Sequence, residues 1–164
     1  MIFIVLGTQK FQLNRLLKLI DDYISENIIN EPVFAQIGNS TYEPVNYQYV
    51  RFMSKEDFDE TVNRSDLLIT HSGVGSIITA LKAGKKVIVY PRLKKYKEHV
   101  DDHQLDIARA FEKKNYLVCC YEDDELSDKI QLARESTFDE YVSEREKMVN
   151  LIEEYIESEN LGKK

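Results

Sequence analysis

Several features that would place this chain in a common class are missing from its sequence. Its 164 residues contain no apolar run near the roughly 18 to 20 residues that a membrane-spanning helix needs. They also contain no internal repeat, no low-complexity tract and no linker rich in Pro, Gly or Ser. The first residues show neither a basic leader nor a small-residue cleavage site, which predicts a cytoplasmic location. One folded domain is therefore expected.

An excess of basic residues is absent as well. The sequence has 22 Lys and Arg against 29 Asp and Glu, a formal net charge of -7 at pH 7. General nucleic-acid binders normally carry a positive excess that meets the phosphates. We therefore expect no nucleic-acid partner.

Cysteine is scarce. Cys119 and Cys120 are neighbours in the sequence, where a mutual disulfide would be strained, and no other cysteine exists to pair with either. Both are expected to be reduced residues of a strand or of the core.

Short apolar segments alternate with amphipathic ones. The segments predicted as strands are residues 2–6, 33–37, 49–52, 67–70, 87–90 and 116–120. The segments whose spacing predicts helices are residues 11–24, 55–62, 76–82 and 99–113. This alternation predicts an α/β fold with a Rossmann-like, doubly wound parallel sheet over residues 1–120.

The sequence after residue 120 becomes acidic and then helical. The carboxylates of residues 122–125 suit a helix N-terminus and predict the start of a helical part over residues 121–157. Apolar residues from Phe138 to Ile156, among them Tyr141 and Val142, fall on one helical face. This C-terminal amphipathic helix either covers the sheet or docks on a partner, and residues 158–164 are expected to form a flexible tail.

A glycine turn follows the fourth predicted strand. The residues after Thr70 are His71, Ser72, Gly73, Val74, Gly75 and Ser76. Glycine allows close approach of a ligand, amides at a helix start favour a phosphate, and Ser76 is suited to cap the helix. The same pattern also fits a tight turn that binds nothing.

Two more loops are expected at the same edge of the sheet. Gly7 and Thr8 follow the first strand, and two loops on one edge strengthen a ligand site. The third loop begins after Tyr90, and four of its six residues from Arg92 to Lys97 are basic. It would meet a pyrophosphate, a lipid phosphate or an acidic partner, or it is a solvated loop.

The three histidines do not form a metal-binding pattern. His99 and His103 have no cysteine ligand nearby and no zinc-protease signature, and His71 lies far from them in sequence. We therefore expect no metal and no cofactor.

Two motifs taken together resemble a known family. The sequences THSGVGSII at residues 70–78 and HVDDHQ at residues 99–104, spaced around VIVYP, resemble the C-terminal, donor-binding domain of family 28 glycosyltransferases. The similarity covers residue 2 to about residue 120, and it is closest to stand-alone bacterial capsule or exopolysaccharide subunits and to the catalytic subunit of the two-chain eukaryotic UDP-GlcNAc transferase. The resemblance implies a single domain over residues 1–157 that forms one half of a GT-B glycosyltransferase.

The resemblance also implies site residues. His71 would border the reacting centre as the catalytic residue, and His103 and Gln104 would contact sugar hydroxyls. Thr79 departs from the family, which usually has an acidic residue there that binds the uridine ribose, so ribose binding would be weaker or differently arranged. The donor-binding residues implied are Gly7, Thr8, Ser72, Gly73, Val74, Gly75, Ser76, Thr79, Arg92, His99, Asp102, His103 and Gln104.

The implied function is transfer of a hexose (galactose, glucose or GlcNAc) from a UDP-sugar to a lipid-linked precursor in polysaccharide biosynthesis. Helix amides and Arg or Lys side chains would neutralise the leaving group without a metal. The acceptor groove and the base would come from a membrane-associated partner subunit that recruits the chain to the inner face of the membrane. Thr79 leaves open a non-catalytic subunit that activates the partner, and a third hypothesis is a stand-alone nucleotide or sugar-phosphate binder.

Overall fold

Six short strands and five helices alternate along the part of the chain that the structure, a computed structural model, describes, which is residues 1–143. The strands are β1 (Ile2–Val5), β2 (Val33–Gln36), β3 (Gln48–Val50), β4 (Leu67–Thr70), β5 (Lys86–Val89) and β6 (Val118–Cys119). The helices are α1 (Asn14–Ser25), α2 (Lys55–Arg64), α3 (Val74–Lys82), α4 (His103–Lys113) and α5 (Leu126–Glu135), and a 3-10 turn spans Lys94–Tyr96.

The strands form one sheet in the order β3-β2-β1-β4-β5-β6, and every pair is parallel. The winding direction reverses between β1 and β4, so the loops that follow these two strands diverge and leave a crevice at the carboxyl edge. This is the predicted doubly wound, Rossmann-like sheet. It puts the loop at Gly7 beside the loop at Gly73.

The side chains of β1 alternate between two cores. Ile2 and Ile4 pack with α1 and α5 on one face, whereas Phe3 and Val5 pack with α2, α3 and α4 on the other. All four are fully or almost fully buried, as in a central parallel strand covered by helices on both faces.

Two helix starts differ from the prediction. α3 begins at Val74 rather than Ser76, because Gly73 caps it and its carbonyl accepts the Ile77 N–H, so Ser76 lies in the first turn and is not the cap. α4 begins at His103 rather than His99. The Asp101 carboxylate accepts the His103 N–H and faces the His99 ring, which holds the intervening residues in turns.

Smaller differences occur elsewhere. α1 begins at Asn14, since the Leu13 N–H donates to Ser40 Oγ instead of joining the helix, and β3 is confined to Gln48–Val50. Cys119 and Cys120 are buried and unpaired as expected, and burial raises the pKa of each thiol to about 12. They are therefore inert thiols.

The segment after α5 is not the predicted helix. Residues 136–143 have no helical structure, because Lys86 donates to the Ser136 carbonyl and the Asp139 N–H donates to the Asn115 carbonyl. Phe138 packs against one core and Tyr141 against the other. The rest of the predicted helix face, the domain end at residue 157 and the tail lie outside the described residues. No helix within residues 1–143 is long and apolar enough to cross a membrane.

Asp21 fixes the long connection between β2 and β3. This carboxylate is only 3% exposed, and it accepts the backbone N–H groups of Val45 and Asn46 at 2.8 and 2.7 Å and the hydroxyl of Tyr42 at 2.8 Å. Burial alone would raise its pKa, but these hydrogen bonds outweigh burial and lower it. Because the folded pKa lies below 3.8, this stabilisation is complete above about pH 4 and is lost as the pH falls further.

We expect Asp21→Asn to lower the free energy of unfolding at neutral pH by about 1–3 kcal/mol, because an amide cannot accept all three hydrogen bonds. Urea unfolding measures this change. Asp22→Asn is the control: its carboxylate is half exposed and pairs with Lys18, so the expected loss is below ~1 kcal/mol. Equal losses in the two variants would contradict the role given to Asp21.

Candidate functional site

His71 lies against the glycine loops that follow β1 and β4. It follows the last residue of β4 and is only 6% exposed. Burial, followed by the nearby Arg92 guanidinium, lowers the pKa of its imidazole to about 3. The ring is therefore neutral at physiological pH.

Gly7 and Gly73 border the His71 ring closely. A Cβ at Gly7 would lie 2.8 Å from Nε2, and a Cβ at Gly73 would lie 2.5 Å from Cε1. Gly7 also has a φ of +70°, which L side chains rarely adopt. These two glycines are thus required by the imidazole, whereas the sequence suggested that Gly73 serves the approach of a ligand.

Gly75 differs from Gly73 in having open space around it. A Cβ built there meets nothing within 4 Å, so the absence of a side chain leaves open space at the start of α3. The N–H groups of Val74, Gly75 and Ser76 have no carbonyl one turn earlier in the helix, and such groups favour an anion.

A cleft of about 410 Å³ lies beside this helix start. Of the predicted site residues, Gly7, Thr8, Gly75, Ser76 and Thr79 line it. Five residues that sequence reasoning missed complete the wall, and they are Gln36, Met53, Ser54, Lys55 and Phe58. They lie at the end of β2 and after β3, so the carboxyl-edge rule would have found them once the strand order was known.

Thr79 faces this cleft but uses its hydroxyl proton internally. Its Oγ1 donates to the carbonyl of Gly75 at 2.9 Å, one helical turn earlier. The hydroxyl oxygen can still accept a hydrogen bond but offers no charge.

Arg92 is placed differently from the prediction. The sequence suggested that it meets a phosphate in an exposed basic loop, but its side chain is fully buried. One guanidinium nitrogen donates to the carbonyls of Leu6 and Phe11 at 2.9 and 3.0 Å, and Nε donates to the carbonyl of Gln12 at 3.3 Å. The guanidinium thus forms its hydrogen bonds with backbone carbonyls after β1 and does not reach the surface.

The rest of the loop after β5 is held against α1. Glu98 is buried, accepts two hydrogen bonds from Arg15 at 3.1 and 3.0 Å, and also accepts the Leu93 N–H. The Arg15 guanidinium lies over the rings of Tyr90 and Tyr96. The ends of the loop are therefore packed, whereas Lys94, Lys95 and Lys97 at its centre are exposed, as the charge of the segment allowed.

The remaining predicted residues are spread along this loop and not gathered in the cleft. The ring of His99 packs on Phe11 at 4.5 Å, and Asp102 accepts the N–H of Lys94. His103 is exposed on the first turn of α4, whereas the next residue, Gln104, is buried and contacts His71. Ser72 is also buried, and its hydroxyl has no hydrogen-bond partner within residues 1–143.

The described residues contain no group of three or more His, Cys, Asp or Glu side chains that could hold a metal ion. The expectation of metal-free chemistry stays a prediction.

The parallel strand order, the crevice at the reversal point and the open helix start define a Rossmann-like domain of the kind found in GT-B glycosyltransferases. The chain belongs to the glycosyltransferase family 28 C-terminal domain, whose family model matches residues 1–156.

Several relatives share the name UDP-N-acetylglucosamine transferase subunit ALG13. The human protein is 26% identical over 135 residues, covering 73% of this chain and 11% of its own length. The protein of Candida albicans is 32% identical over 81 residues, which is 49% of this chain and 26% of its own length. This chain thus spans about a quarter or less of the length of these two relatives.

Solved structures agree on the fold. An NMR structure of ALG13 superposes with a TM-score of 0.58 at 20% identity, covering 92% of this chain and 93% of that one. The glycosyltransferase SnogD from Streptomyces nogalater gives 0.57 at 18% identity and covers 82% of this chain but 34% of its own. This chain therefore corresponds to about a third of SnogD.

The depressed pKa of His71 makes stability depend on pH. In the unfolded chain the imidazole takes up a proton below about pH 6.5, whereas in the folded chain it stays neutral down to about pH 3. Stability is therefore complete above 6.5 and falls with pH in this window, by about 1.4 kcal/mol per pH unit.

We expect His71→Gln to remove this part of the pH dependence. Between about pH 7 and about pH 5 the wild-type chain should lose ~2 kcal/mol more free energy of unfolding than the variant does. Urea unfolding at both pH values measures the difference. Parallel losses in the two chains would show that His71 can be protonated in the folded state.

Proposed function

We propose that this chain is the donor-binding subunit of a glycosyltransferase and that it holds a UDP-sugar in the cleft beside α3. The observation that carries the proposal is the open space at Gly75, where unpaired helix amides face a cleft formed by loops of four strands. Membership of the family 28 C-terminal domain supports a transferase, and the name of the relatives supports GlcNAc as the sugar.

The parts of the cleft suit the parts of a nucleotide diphosphate. The amides at the start of α3 and the ammonium group of Lys55 provide positive charge for the phosphates. Met53 and Phe58 provide an apolar wall on which a base can pack. Thr79, in place of the usual acidic residue, offers the ribose one neutral acceptor, which predicts modest affinity.

The charge of the leaving group needs a source other than Arg92, whose guanidinium is buried on backbone carbonyls. In this proposal the amides at the α3 N-terminus, Lys55 and the neutral His71 ring stabilise the departing diphosphate, without a metal or other cofactor. Among the described residues, none that lines the cleft is Asp or Glu, and the nearby Asp59 carboxylate pairs with Lys55.

The acceptor side of the reaction is assigned to another chain. The described residues form a single sheet, and a GT-B cleft closes between two such domains. We propose a membrane-associated partner that carries the acceptor groove and the base, binds a lipid-linked saccharide and holds this chain at the cytoplasmic face of the membrane. Galactose and glucose remain alternative donors.

A non-catalytic subunit that activates such a partner is the second candidate, and Thr79 favours it. A site that has lost its ribose carboxylate would bind the donor poorly. In that case, variants of the cleft would leave the activity of the two-chain complex unchanged.

Gly75→Ala separates folding from ligand binding. Alanine is the better helix former and meets no neighbour, so stability should stay equal or rise by up to ~1 kcal/mol. UDP affinity should fall at least about tenfold, because the methyl group occupies the space needed by the diphosphate. Urea unfolding and calorimetric titration with UDP, UDP-GlcNAc, UDP-glucose and UDP-galactose measure the two effects; unchanged affinity would exclude the diphosphate from this position.

Lys55→Met tests the charge in the cleft, and Lys18→Met is its matched control. Each lysine lies on an exposed helix surface and pairs with an aspartate four residues later, but only Lys55 lines the cleft. We expect about a tenfold loss of UDP affinity in the first variant and none in the second. If transfer by the two-chain complex is unchanged in both Lys55→Met and Gly75→Ala, the chain acts as an activator.

A further inference from the structure

Gln104 connects the loop after β5 to the histidine in the crevice. It is the second residue of α4, and its side chain is only 6% exposed. Its Oε1 lies 3.1 Å from the backbone nitrogen of Arg92, and its Nε2 lies 3.3 Å from Nδ1 of His71. Both ends of this amide therefore have protein partners, whereas the sequence placed it on sugar hydroxyls.

The backbone of Arg92 determines which way the amide points. A backbone N–H can only donate, so the amide atom beside it must be the oxygen. The NH2 group is then the atom that faces Nδ1, and it too can only donate. Nδ1 must accept, which leaves the proton of the neutral imidazole on Nε2.

The protonated nitrogen faces the two glycine loops. Cβ atoms built at Gly7 and Gly73 would lie 2.8 and 2.7 Å from Nε2, so this edge of the ring is bordered by residues that cannot carry a side chain. The only hydrogen bond that His71 makes through its side chain within residues 1–143 is the one at Nδ1. The ring is also neutral, because burial and the Arg92 charge hold its pKa near 3.

We propose that Gln104 is a positioning residue that holds His71 in the Nε2–H tautomer, so that the ring offers a hydrogen-bond donor to an anionic oxygen of the bound nucleotide. The nature of that ligand rests on the proposed function, but the tautomer does not. In this form Nε2 has no free lone pair, so His71 stabilises an oxygen and does not take a proton from the acceptor.

The tautomer is measured directly by nitrogen-15 NMR of the three imidazole rings in the unliganded chain. His99→Gln and His103→Gln assign the remaining signals to His71. We expect Nδ1 to have the chemical shift of an unprotonated ring nitrogen and Nε2 that of a protonated one. A proton on Nδ1, or an equal mixture of tautomers, would overturn the proposal.

Gln104→Glu tests whether this side chain is the cause. Its carboxylate can accept from both the Arg92 N–H and Nδ1, so the proton should move to Nδ1. Gln131→Glu makes the same change on the exposed surface of α5, where Gln131 pairs with Glu135, and should leave the tautomer as in wild type. Gln104→Leu removes the donor and should give a mixture of tautomers. This second variant replaces Gln104→Glu if the amide spectrum shows that Gln104→Glu does not fold. Retention of the wild-type tautomer in either folded variant would show that Gln104 does not fix it.

Addition of UDP to the same sample tests the donor role. We expect the Nε2–H resonance to shift and its exchange with water to slow. Binding of UDP that leaves this resonance unchanged overturns the donor role. If UDP does not bind at all, the proposed function is contradicted and the nucleotide is not the partner of Nε2. The tautomer is tested separately, by the spectrum of the unliganded chain.

Discussion

The buried guanidinium of Arg92 is the interaction on which the carboxyl edge of this sheet depends. It binds three carbonyls of the segment that follows β1, and its own backbone N–H holds the amide of Gln104. One residue thus connects the loops after β1 and β5 with the start of α4. A buried charge needs such partners, and here the partners are the backbone groups that shape the crevice.

At the carboxyl edge of the sheet, most of the hydrogen-bond donors near the glycine loops are neutral groups and not exposed charges. His71 is neutral, Arg92 is occupied by the backbone, and the helix start at Gly75 offers amides. Fixed dipoles need little rearrangement when charge develops on a ligand. The sequence alone made the basic loop after β5 prominent instead. In the structure, the Glu98 carboxylate of that loop binds Arg15 and holds the loop on α1.

Sequence reasoning predicted the fold well because buried parallel strands and amphipathic helices have clear periodicities. It located the six strands, the two glycine loops and the family motifs, but it misjudged side-chain direction. Arg92 and Gln104 look like surface residues in a polar loop, and only the three-dimensional packing turns them inward. Met53 and Phe58 were missed because their place in the cleft depends on strand order, which no local pattern encodes. The helix predicted from Phe138 failed at its start because tertiary contacts of Ser136 and Asp139 replaced the helical bonds.

The contact of Gly7 and Gly73 with the imidazole changes how the glycine motif is read across related chains. A histidine fills the space where the side chain of either residue would lie. A homologue with a small residue at this position would be under no pressure to retain Gly73, whereas Gly7 would still need its φ of +70° and Gly75, whose Cβ would meet nothing within 4 Å, would be unaffected. The motif therefore combines two independent selective constraints, and loss of one need not be accompanied by loss of the other.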